Sequence, residues 1–76
     1  MEVKELDLHG IRHVNVHKEL DTFFGSVDFP AIVITGQSSR MKELVTQIAS
    51  RYDLIARPSY TNPGRLIIYA GTGDVL

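Results

Sequence analysis

Between Ala31 and Tyr52 the hydrophobic pattern changes period once, abruptly, and few folds accommodate such a change. Ala31 to Thr35 is a continuous apolar run in which Ile32, Val33 and Ile34 are β-branched. Such a run suits a central strand covered on at least one face. Gly36 to Ser39 reads as a turn. Met41, Leu44, Val45, Ile48, Ala49 and Tyr52 then recur at helical spacing and form one apolar stripe. Ser38 or Ser39 is placed to cap that helix. A strand that turns directly into an amphipathic helix is half of an α/β unit.

The same change occurs nearer the start. Val3 to Leu8 alternates, with Leu6 and Leu8 set against Asp7, which is the period of a half-buried strand. Gly10 permits a sharp departure from it. Val16, Leu20, Phe23, Phe24 and Val27 make a second helical stripe, predicting a helix over Val14 to Phe24 that Gly25 stops. Asp28-Phe29-Pro30 is a loop. Beyond Tyr52, Leu54 to Ser59 is a weaker strand that Pro58 consigns to an edge. Asn62-Pro63-Gly64 is a turn, Arg65 to Tyr69 the last strand, and Gly71 to Asp74 a mobile tail. The order β-α-β-α-β-β predicts parallel neighbours across each helix and an antiparallel last strand. The fold expected is a two-layer α/β sandwich, a mixed four-stranded sheet with both helices on one face.

Composition narrows the function. At 76 residues the chain holds one domain, with its ordered core over about residues 3–70. It has no cysteine, which removes disulfides, thiolate metal sites and thiol nucleophiles. No segment has the length of a membrane span and the N-terminus has no signal-peptide core, so a cytoplasmic protein without a membrane partner is expected. The net charge of −1 argues against strong non-specific nucleic-acid binding and leaves only local basic clusters.

Three stretches carry a resemblance. Leu6-Asp7-Leu8-His9-Gly10 ends the first strand, Ile34-Thr35-Gly36 ends the second, and Pro63-Gly64-Arg65-Leu66-Ile67-Ile68 leads into the last. In this order they resemble the small MutS-related (Smr) domain, with its LDLHG signature, its TGxG loop and its glycine before the final strand. The chain departs from the pattern at Ser38, which takes the place of the second TGxG glycine, and at Ser39-Arg40, where the loop is shortened. The resemblance implies nucleic-acid binding with endonuclease activity on RNA or DNA, and a fold similar to the C-terminal domain of translation initiation factor 3.

From the residues themselves, Asp7 and His9 are two apart on a strand and share a face. An imidazole titrates near neutrality and a carboxylate can fix its tautomer, so the two form a candidate acid–base pair for phosphodiester cleavage. The alternative is structural, with Asp7 bonding the following loop and His9 capping a helix. Thr35, Gly36, Gln37, Ser38 and Ser39 lead into a helix N-terminus, where free N–H groups and the dipole favour an anion. Arg40 and Lys42 add charge, and Gly10, Arg12 and Arg65 extend the candidate phosphate-binding set. A capped helix with solvated cations explains the same residues. The two loops lie at the carboxyl ends of strands, where α/β sheets hold ligands.

His9, His13 and His17 are spaced by four, but no carboxylate completes a metal site there, so no metal ligands are assigned and no cofactor is called for. Arg12, His13 and Lys18, with Arg57 and Arg65, are candidates for phosphate contact. Tyr60 and Tyr69 are candidates for base stacking, or are half-buried strand residues. RNA is preferred over DNA, because a His/Asp pair without a metal can use a 2′-hydroxyl. Two other readings stand beside the nuclease: a non-catalytic nucleic-acid or ribonucleoprotein binding module, and a protein-interaction domain. The last would use the sheet face opposite the helices, with Val33, Ile67 and Tyr69, for a partner or a weak homodimer.

Overall fold

A computed structural model describes residues 3–71. The elements follow the expected order: β1 (Glu5–Asp7), α1 (His13–Phe24), β2 (Ala31–Ile34), α2 (Ser39–Arg51), β3 (Leu54–Pro58) and β4 (Arg65–Ala70). From Thr72 on, the tail lies outside the described residues.

The sheet is mixed and four-stranded, in the order β1-β2-β4-β3. β1 pairs parallel to β2, while β4 lies antiparallel to both β2 and β3. The expectation that β2 and β3 would be neighbours therefore fails, because β4 is inserted between them. The reason is that β4 is apolar on both faces over Leu66 to Ile68 and gains from a neighbour on each side. Pro58 lacks the N–H that a central strand needs, so β3 takes the edge.

Alternation sorts the sheet. Leu6, Val33, Leu66 and Ile68 turn toward the helices and join Leu8, Val16, Leu20, Phe24, Met41, Val45, Ile48 and Ala49 in one core. Both helices thus cover the same face. Val33, assigned above to the opposite face, is fully buried in this core. Ile32 and Ile34 occupy the other face in its place. In a run as uniformly apolar as Ala31 to Ile34 the parity cannot be read from residue type.

The helix ends follow local chemistry. Ser38 caps α2 by accepting the Met41 N–H at 3.0 Å. Gly25 ends α1 as expected, in right-handed conformation with φ −79°. The last carbonyls are satisfied by the Gly25 and Ser26 N–H groups, which donate to those of Asp21 and Phe23 at 3.2 and 3.1 Å, and by the Ser26 hydroxyl, which lies 3.1 Å from that of Thr22.

The far end of the helix pair is closed by aromatic rings. Phe24 packs 6.0 Å from Phe29 and edge-on to Tyr52 at 5.6 Å. The Tyr52 hydroxyl donates to the Asp21 carboxylate at 2.5 Å, tying the end of α2 to α1. That bond holds the phenol above its ordinary pKa of 10.0, with desolvation and the Asp21 charge adding to it and Arg51 opposing it.

Two outcomes follow. Leu20→Ala, at a fully buried position, lowers unfolding free energy by about 2–5 kcal/mol, whereas Val14→Ala on the exposed side of the same helix changes it by less than about 0.5 kcal/mol; urea denaturation measures both. A raised pKa means that the Tyr52–Asp21 contribution is fully present below the ordinary tyrosine value and is lost as pH rises through the folded value. Thermal melts will therefore show Tyr52→Phe less stable than the parent at pH 8, with the gap closing as pH rises past about 10.

Candidate functional site

β1 and β2 run parallel and side by side, so their carboxyl ends and the loops that follow lie at one end of the sheet. The starts of both helices lie there as well, because each helix follows one of these strands.

Asp7 is the last residue of β1, and its carboxylate accepts the main-chain N–H of His9 at 2.8 Å. This is an Asx turn, the local bond that Asp makes two residues on. It corrects the expected pairing in two respects. His9 lies beyond the end of the strand, in the turn, and the carboxylate holds the His9 backbone where a bond to the imidazole was expected. Gly10 follows with φ +85°, a conformation that glycine adopts without cost. The Ile11 N–H then closes the turn on the Leu8 carbonyl at 2.9 Å.

The second loop meets the first. Gly36 has φ +68°, and a Cβ placed on it would lie 3.6 Å from the His9 ring carbon Cδ2. The imidazole therefore lies along the Thr35–Gly36 turn, and the two motifs form one corner.

A third loop holds the corner from beneath. The N–H groups of Thr35 and Gly36 both donate to the Gly64 carbonyl, at 2.8 and 3.0 Å. The Thr35 hydroxyl is buried and lies 3.2 Å from that same oxygen and 3.1 Å from the Gly36 carbonyl. A Cβ on Gly64 would come within 3.3 Å of the Gly36 Cα, so the two backbones touch. Thr35 and Gly36 were expected to offer a hydroxyl and an N–H to phosphate. Both groups are instead engaged inside the fold, because two backbone segments packed this closely must satisfy each other's polar atoms. Gly64, absent from the candidate set, is the residue that organises the corner. The sequence marked it in two ways, by the Asn62-Pro63-Gly64 turn and by the glycine before the final strand in the Smr-like pattern.

What remains open is the His9 ring, the Gly10 backbone and the start of α2. Gln37, Ser38, Ser39 and Arg40 are exposed there and Lys42 is half-buried. Ser38 keeps its hydroxyl proton for an outside acceptor, since its oxygen accepts the cap bond. Arg40 contacts Glu43 at 3.4 Å in an exposed pair, which holds it weakly. Arg12 is exposed at the start of α1 with no side-chain cap bond. Arg65 begins β4 beside Gly64 but reaches across the sheet to Glu5 at 3.4 Å, away from the corner. Among the described residues no three His, Asp or Glu side chains gather to hold a metal ion, and no helix is long and apolar enough to cross a membrane.

Replacing Gly36 by Ala forces a side chain into left-handed backbone, at about 1–2 kcal/mol. Urea unfolding of Gly36→Ala measures this cost. No loss of stability would mean that the turn is free to rearrange and does not hold the corner.

No protein family, curated protein or solved structure matches the chain.

Proposed function

We propose that this is a nucleic-acid-binding domain of the Smr type that cleaves RNA in preference to DNA, with His9 as its acid–base group. The observation that carries the reading is the meeting of the LDLHG turn with the Thr35–Gly36 turn, which sets an exposed imidazole beside a helix N-terminus. A phosphate over Ser38 and Ser39 would gain the N–H groups and dipole of α2, with Lys42 and Arg12 supplying charge.

The chemistry is transesterification. Neutral His9 takes the proton of a ribose 2′-hydroxyl, and the freed oxygen attacks the adjacent phosphorus. The 5′-oxygen leaves and takes a proton from water, giving a 2′,3′-cyclic phosphate. Asp7 acts by fixing the main chain that carries His9. Positioned proton transfer of this kind contributes about 10²–10⁴-fold.

A second reading, binding without turnover, is favoured by one observation: the Asp7 carboxylate engages main chain and leaves the imidazole without a carboxylate partner. One experiment separates the two readings. Labelled single- and double-stranded RNA and DNA are incubated with the purified domain, with and without chelator, beside a His9→Ala variant whose folding is verified by circular dichroism. Cleavage of RNA that falls at least about 100-fold in His9→Ala supports the nuclease. Binding without cleavage selects the second reading, and cleavage unchanged in His9→Ala removes His9 from the chemistry.

A further inference from the structure

Both helices cover one face of the sheet, and among the described residues no element covers the other. The register orders this bare face. Glu5 stands opposite Ile32, Ile32 opposite Ile67, and Ile67 opposite Arg57. One row across all four strands therefore reads acid, apolar, apolar, base. The neighbouring row pairs Tyr69 with Ile55, which are 39% and 44% exposed, and Val3 at the same end of β1 is 48% exposed. Arg57 has no ion pair among the described residues, and Glu5 has only its exposed 3.4 Å contact with Arg65.

This row is complementary to itself. In the order β1-β2-β4-β3 the centre of the sheet falls between β2 and β4. A twofold axis parallel to the strands at that centre lays a second copy face to face and exchanges left with right. β1 then faces the partner's β3, and β2 faces the partner's β4. Glu5 meets the partner's Arg57, Ile32 meets the partner's Ile67, and each contact occurs twice, as an isologous interface requires.

We propose that the bare sheet face is the interface of a twofold homodimer, with an Ile32–Ile67 centre flanked on both sides by Glu5–Arg57 pairs. The depression of about 290 Å³ between Arg57, Tyr60, Ile67 and Tyr69 lies on the β3–β4 half and receives the partner's β1 edge. The division of charge selects this occupant over a nucleic-acid strand, because Glu5 on the β1 half of the row repels phosphate. Strand spacing and rise give a footprint of about 300 Å² per copy, well below the roughly 800 Å² of a standard interface, so the dimer is weak and exchanging. The twofold also brings the two His9 turns to the same end of the assembly.

Sedimentation velocity from about 10 μM to 1 mM, the range in which so small an interface associates, tests the proposal. The weight-average sedimentation coefficient of the parent chain rises from monomer toward dimer. Glu5→Arg and Arg57→Glu, both at exposed positions and each verified as folded by circular dichroism, place like charges opposite one another and weaken association at least about tenfold. The double reversal restores the opposite pairing and returns the dissociation constant to within about threefold of the parent. A parent chain that stays monomeric at 1 mM overturns the proposal. So does a dimer indifferent to the single reversals, or a double reversal no more associated than either single. A single-stranded oligonucleotide bound by the monomer and lost in Arg57→Glu would assign the face to nucleic acid instead.

Discussion

Val33 of β2 stands opposite Leu66 of β4, and Ala31 opposite Ile68; the rest of the structure follows from that register. These four side chains give the helices a continuous surface to pack on, and all four are buried. The same pairing sends Ile32 and Ile67 to the other side and brings the end of β2 against Gly64 at the start of β4. A slip of one residue would exchange the two faces and bury Arg65. With a single apolar layer between sheet and helices, a domain of this size has no second core to compensate.

The corner at the carboxyl ends of β1 and β2 shows how closely fold and site can share residues. Gly36 lies against both the His9 ring and the Gly64 loop. Thr35, buried and bonded to Gly64, sets the height of the turn without touching solvent. Asp7 orders the backbone of the residue that follows it. Each of these looks like a functional residue in the sequence and acts as a structural one in the fold. The groups left facing water are His9 and, at the start of α2, Gln37, Ser39 and Arg40.

The two faces of the sheet differ in what they ask of the sequence. The covered face is a single apolar cluster, insensitive to the order of its members so long as volume is kept. The bare face has its order written across strands, with acid on β1, isoleucine on β2 and β4, and arginine on β3. That order is visible only once the register is known, since the residues of the row lie far apart in the chain.

Much of the architecture is legible in the sequence. The change from a β-branched run to a helical stripe around Gly36 places β2 and α2, Ser38 marks the cap, and Pro58 marks an edge strand. These are local matters, decided by backbone hydrogen bonding and by side-chain period over a few residues. Tertiary structure alone decided that β4 lies between β2 and β3, that Val33 faces the core while Ile32 does not, and that Thr35 and Gly36 turn inward to Gly64. Each of these depends on a partner distant in sequence. An apolar run has no preferred parity and a glycine no preferred neighbour until another strand supplies one.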